Sequence, residues 1–102
     1  MNYMPRPFKC RKVFFLPDVT YFKPAGIPMR NLDEVNITLD ELEAIRLADL
    51  EGLYQENAAQ KMGISRQTFG NIITSAHLKV ADCLINGKTL KITGGTITML
   101  QE

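Results

Sequence analysis

Residues 54–81, YQENAAQKMGISRQTFGNIITSAHLKVA, constrain the fold more than any other stretch of the chain. Their pattern predicts a short helix, a turn at Gly63-Ile64-Ser65 and a longer helix. Gly63 can take the left-handed conformation that ends a helix at little steric cost. The Ser65 hydroxyl can then accept a bond from a backbone N–H in the first turn of the next helix. Ala58, Ala59 and Met62 share one face of the first helix, and Phe69, Ile72, Ile73, Ala76 and Val80 recur at helical spacing on the second. Ala59 is small enough to let the two backbones approach where they cross. A Gly-containing turn of this length between two helices marks a helix-turn-helix, whose second helix enters the major groove of DNA. Arg66, Gln67, Asn71, Thr74 and Ser75 are expected to face outward, with Ser65 and Thr68 at the helix start; these types bind phosphates and base edges. Any helical hairpin needs a glycine turn and an apolar stripe. The Gly–apolar–Ser order and the Arg66-Gln67 pair opening the second helix are what favour DNA.

A chain of 102 residues is expected to make one domain. No apolar run reaches the length of a membrane span, and the first residues lack the apolar core of a signal peptide, so the expectation is a cytoplasmic protein without membrane contact. Cys10 and Cys83 are too few for a disulfide scaffold and are expected as thiols. The formal net charge of +1 hides an uneven distribution: +5 over residues 1–32, −7 over 33–57 and +3 over 58–102. Binding DNA needs positive charge only on the face that meets phosphate, although an ordinary mixed surface would give the same total.

Along the chain, Pro5 and Pro7 make residues 1–12 an extended arm, where Arg6, Lys9, Arg11 and Lys12 could follow phosphates or enter a minor groove. A solvated terminus has the same composition. KVFFLP, residues 12–17, is a β-prone run closed by proline. Residues 18–32 read as an ordered Pro/Gly-rich loop anchored to the core by Tyr21, Phe22 and Ile27. NITLDELEAIRLADLEG gives the clearest local signal. Thr38 and Glu41 form a capping box. Leu39, Leu42, Ile45 and Ala48 make a stripe that Leu47 and Leu50 widen, and Gly52 stops the helix. Its acids favour the positive end of the helix dipole and are expected to point away from a duplex. The second motif helix is expected to run from Arg66 to about Leu84, stopped by Asn86-Gly87, with Cys83 buried on its apolar side. His77 is the only histidine and is expected partly exposed, with neither a metal centre nor a nucleophile–base pair around it. KTLKITGGTITML, residues 88–100, reads as a hairpin turning at Gly94-Gly95. It is expected to pair with KVFFLP or with a second copy of the chain.

Three stretches carry a resemblance: MPRPFKCRKVFFLPDVTYFKPAGIP (4–28), ITLDELEAIRLADLEGLYQENAA (37–59) and KMGISRQTFGNII (61–73). Through them the chain resembles a family of small uncharacterised prokaryotic proteins predicted to bind DNA. Residues 38–81 also resemble the helix-turn-helix of region four of bacterial sigma factors, which reads promoter DNA. The resemblance implies a DNA-binding, regulatory role and names no target. Some relatives resemble this chain with a second cysteine in the place of Phe14; Cys10 here lacks that partner for a metal or redox role. Tyr54 stands where sigma-like domains usually place a helix-capping residue.

The expected fold is mainly α. A helix-turn-helix three-helix core spans 37–86, preceded by a basic arm, strand and loop over 1–36 and followed by a β-hairpin over 87–102. The expected function is sequence-specific binding of double-stranded DNA, probed through Ser65, Arg66, Gln67, Thr68, Asn71, Thr74 and Ser75. Lys61, Lys79, Arg6, Lys9, Arg11 and Lys12 are expected to neutralise phosphate. The alternative is a protein-interaction adaptor that docks on RNA polymerase or a regulator through the acidic helix. A homodimer is a further candidate partner. No cofactor, metal site or enzymatic activity is expected, since no nucleophile, acid–base pair or phosphate loop stands out.

Overall fold

The computed structural model describes residues 10–100. Residues 1–9, with Arg6, Lys9 and most of the expected arm, lie outside the described residues, as do 101 and 102. The chain runs β1 (Arg11–Val13), β2 (Tyr21–Phe22), a 3-10 turn (Met29–Asn31), β3 (Glu34–Ile37), α1 (Leu39–Ile45), a π-type turn (Arg46–Leu50), α2 (Gln55–Met62), α3 (Arg66–Asn86), β4 (Thr89–Ile92) and β5 (Ile97–Met99).

The helix boundaries follow local chemistry. Thr38 and Glu41 form the expected capping box: the Glu41 carboxylate accepts from the Thr38 backbone N–H at 2.9 Å, and Thr38 Oγ1 accepts from the Glu41 N–H at 3.4 Å. After Ile45 the helix widens, with the Glu51 N–H reaching back to Arg46 O at 2.9 Å. Gly52, at φ 73°, then turns the chain out. Tyr54 precedes α2 without a side-chain cap. Gly63 ends α2 in the left-handed region, at φ 67° and ψ 33°. Ser65 Oγ accepts from the Thr68 N–H at 3.0 Å and so opens α3.

Two apolar clusters hold the helices. Ala44, Leu47, Ala58, Ala59, Met62, Phe69, Ile72 and Ile73 fill the space between α1, α2 and α3. Ile37, Ala76 and Ile92 join α3 to the strands, and Ile45 packs against both groups. The expected apolar stripes of α2 and α3 are therefore the ones buried.

The strands depart from expectation. β4 and β5 are not the arms of a hairpin. β4 sits centrally, parallel to β3 and antiparallel to β2, while β5 pairs in parallel with β1. Parallel neighbours need a long crossover, and the whole helical segment supplies it. Gly94-Gly95 instead carries the chain across the start of α1, where the Leu39 N–H donates to Gly94 O at 2.9 Å. At Gly95, φ is +109° and a Cβ would stand 2.7 Å from Asp40 Oδ1 and 3.3 Å from the Leu39 backbone N. Strand β3 was masked in sequence by the helix that follows it. KVFFLP contributes only its first two residues to β1, and Phe15 and Leu16 are exposed. Tyr21, Phe22 and Ile27 do not anchor a loop to the core, since all three are exposed and the first two form β2 beside β4. Leu50 is 81% exposed because the π-type turn rotates it off the expected stripe.

The acids of α1 point inward, contrary to expectation. Glu43 accepts from the Phe14 N–H at 2.9 Å and from Arg46 Nε at 2.7 Å, and Asp40 lies 3.9 Å from Arg11. Glu41 also reaches α3, accepting from Ser75 Oγ at 2.5 Å and from Lys79 Nζ at 2.7 Å. Burial pushes the Glu41 pKa up, but the bonds from Lys79, Ser75 and Thr38 outweigh it and hold the carboxyl below its ordinary range.

A depressed carboxyl pKa contributes stability that is complete above the unfolded value, about 4.3, and is lost as pH falls through the folded value. Glu41→Gln is therefore expected to lower the unfolding free energy by about 1–3 kcal/mol near neutrality. Urea denaturation at pH 7 and pH 3 checks this: the gap between parent and variant narrows in acid, and an unchanged gap contradicts the account. Gly95→Ala is expected to cost about 1–3 kcal/mol. Gly26→Ala, also at positive φ but in open space, should cost measurably less in the same thermal melts.

Candidate nucleic-acid interface

The turn between α2 and α3 gathers the candidate residues. Gly63 lets the chain reverse within three residues, and β1 lays the Lys12 side chain across it: a Cβ at Gly63 would meet Lys12 Cε at 3.2 Å. Lys12 is exposed, and exposed Lys61 occupies the last turn of α2. The sequence placed Lys12 in an arm; the parallel pairing of β1 with β5 is what delivers it to the turn.

α3 begins beside that turn. The Ser65 hydroxyl is engaged as a cap and donates to Thr68 Oγ1 at 2.9 Å, so it is not an idle donor. The N–H groups of the first helical turn have no partner within the helix and carry the positive end of its dipole. Arg66, Gln67, Asn71 and Thr74 are exposed, and among the described residues their side chains hold no hydrogen bond or ion pair. Gln67, Asn71 and Thr74 recur at i, i+4 and i+7, hence along one line of the helix opposite Phe69, Ile73 and Ala76. Arg66 borders a shallow polar groove with Tyr54, Gln55 and Glu56.

Two expected members fall elsewhere. Ser75 and Lys79 are half-buried and bound to Glu41, so Ser75 does not face outward and the Lys79 ammonium is already neutralised inside the chain. Arg11 is half-buried beside Asp40 rather than lying in a free arm. His77 is exposed, with Nε2 2.6 Å from Asp49 Oδ2. These pairings join residues 28 to 38 positions apart, and no local pattern announces them.

Cys83 is buried, and burial, aided by the Asp82 charge against the opposing Lys88, raises its thiol pKa; Cys10 is exposed. Among the described residues no group of three or more His, Cys, Asp or Glu is placed to hold a metal ion. Among them, too, no helix is long and apolar enough to cross a membrane.

Over residues 1–100 the chain matches the family described as "Protein of unknown function DUF134". A UPF0251 protein of Moorella thermoacetica is 60% identical over 92 residues, which cover 90% of this chain and 62% of that protein. One from Thermoanaerobacter sp. (strain X514) is 58% identical over 99 residues, covering 97% and 88%. One from Prosthecochloris aestuarii is 54% identical over 101 residues, covering 99% and 65%. The chain thus spans just under two thirds of two of these relatives and most of the third. No solved structure matches the chain. The extent of these matches shows that the chain belongs to the family Protein of unknown function DUF134.

Proposed function

We propose that the protein binds double-stranded DNA sequence-specifically, as a regulator of transcription, by placing the first half of α3 in the major groove. The observation that carries this reading is the exposed line Gln67–Asn71–Thr74 with Arg66 at its start, behind a left-handed glycine turn and a serine cap. Paired amide hydrogen bonds from Gln67 and Asn71 suit adenine edges, and Arg66 suits a guanine edge or a phosphate. The amides of the first turn, with Lys12 and Lys61, suit the flanking phosphates. The likeness of residues 38–81 to region four of sigma factors supports a helix-turn-helix reading of α2 and α3.

The inward acids of α1 support DNA over the adaptor reading, because the acidic outer face that docking on polymerase would use is largely spent on Arg46, Lys79 and backbone N–H groups. They also lower the negative charge left on the surface, although Glu56 stays exposed beside Arg66. Carboxylates at Asp40, Glu41 and Glu43 are partnered inside, while the cations around the turn are exposed.

Binding through about three to five phosphates predicts a loss of affinity of roughly 40- to 500-fold between 50 and 200 mM salt. Fluorescence anisotropy with a labelled mixed-sequence duplex measures it. Lys12→Ala and Lys61→Ala should each flatten the salt slope by about one, and Lys79→Ala should leave the slope unchanged. An affinity indifferent to salt contradicts the proposal. On a preferred site, Gln67→Ala is expected to cost about 1–3 kcal/mol and to relax selectivity at one base pair. Equal binding by Gln67→Ala and Arg66→Ala would remove α3 as the reader.

A further inference from the structure

The small sheet of β1 and β5 is open on one side. The Arg11 N–H donates to Thr96 O at 2.9 Å and the Leu100 N–H to Val13 O at 2.8 Å, with Lys12 in register with Thr98. Bonding residues alternate along a parallel ladder, so β1 engages residues 96, 98 and 100. The N–H and C=O groups of Ile97 and Met99 point the other way, and among the described residues no strand pairs with that edge. A two-stranded sheet is marginal in water, and a parallel pair is the weaker kind. One more strand on this edge supplies what the pair lacks.

The other strand edges carry the features that keep edges from pairing. β2 is two residues long and runs directly into Lys23-Pro24. β3 begins at Glu34, behind Asp33. β1 carries the charged Arg11 and Lys12, and the next N–H, of Phe14, is taken by Glu43 at 2.9 Å. β5 has none of this protection. Residues 96–100, Thr-Ile-Thr-Met-Leu, contain no charge, proline or glycine. Thr98 is exposed, and Met99 is 41% exposed.

The positions of the open groups suit one occupant. A two-fold axis through Thr98, perpendicular to the sheet, lays a second β5 antiparallel to the first. Ile97 then stands opposite the partner's Met99, and Met99 opposite the partner's Ile97. Each of these pairs exchanges two N–H···O bonds, so every open group on both strands is used. Thr98 meets the partner's Thr98 as the close, non-hydrogen-bonded pair between them, a favourable cross-strand match. A strand of another protein would leave this fit to chance, whereas a second copy supplies it by symmetry. Charge does not oppose the pairing. Lys12 and the partner's Lys12 share one row, three strand spacings or about 14 Å apart, which exceeds the screening length of about 8 Å at physiological salt.

We propose that β5 pairs with β5 of a second copy of this chain, antiparallel about Thr98, to close a continuous four-stranded sheet in the order β1-β5-β5-β1. The pairing does not depend on DNA binding.

Sedimentation equilibrium of the full chain without DNA, up to about 200 μM, tests it. The parent is expected to show a monomer–dimer equilibrium. Ile97→Glu with Met99→Glu sets carboxylate opposite carboxylate in both pairs and should weaken the dimer by about tenfold or more. Ile97→Lys with Met99→Glu removes the same apolar side chains but sets ammonium opposite carboxylate, and should dimerise about tenfold or more tightly than the double-glutamate chain. In a Cys10→Ser background, Thr98→Cys should oxidise with glutathione disulfide to a cross-linked dimer, because the Cα atoms of such a close pair lie within disulfide reach. Gln60→Cys, on exposed α2, should not. This cysteine arm decides the matter if the charged variants do not fold. A parent that stays monomeric, two charge variants that behave alike, or equal cross-linking at both cysteines overturns the proposal.

Discussion

One carboxylate sets the orientation of the candidate interface. Glu41 closes the capping box that starts α1 through Oε1, which also accepts from Lys79 on α3, while Oε2 accepts from Ser75. Ser75 and Lys79 are four residues apart, one turn of one helix face. Binding both to a fixed point on α1 therefore fixes the roll of α3 as well as its position. With that roll fixed, Phe69, Ile73 and Ala76 enter the core, and Gln67, Asn71 and Thr74 are left outside. Desolvating Glu41 carries a cost, which the Lys79 charge and the hydroxyl donors offset. An apolar contact of the same size would add stability with much looser control of rotation.

Charge follows the same economy of placement. The acidic middle of the chain opposes phosphate by its sum, yet its carboxylates at 40, 41 and 43 turn toward Arg11, Lys79 and Arg46. The bound cations stay with their acids, and exposed Lys12, Lys61 and Arg66 are left near the turn. A net charge of +1 is thus compatible with a locally positive surface.

What the sequence made legible was local. The Thr38–Glu41 box, the Gly63 and Gly87 stops, the Ser65 cap and the buried stripe of α3 each depend on residues within a few positions of one another. What it hid was long-range. Gly94-Gly95 has the composition of a hairpin turn, but β4 and β5 find better partners on strands formed before the helices, and the glycines serve the close crossing over α1. Asp40, Glu41 and Glu43 resembled a solvated acidic face because their partners, Arg11, Ser75 and Lys79, are brought to them only by the tertiary fold. In the candidate site, Arg66, Gln67, Asn71 and Thr74 followed from periodicity, while Ser75 and Lys79 were misplaced by it for that same reason.

The proposed role of α3 rests on its first half, where an exposed polar line is left to meet bases. The most direct measurement of the central claim is selection of bound sequences from random duplex DNA by the purified protein at a stated salt concentration. The account predicts a reproducibly enriched motif of a few base pairs, read by Gln67 and Asn71. Recovery of random sequence after repeated rounds, with no enriched motif, would contradict it.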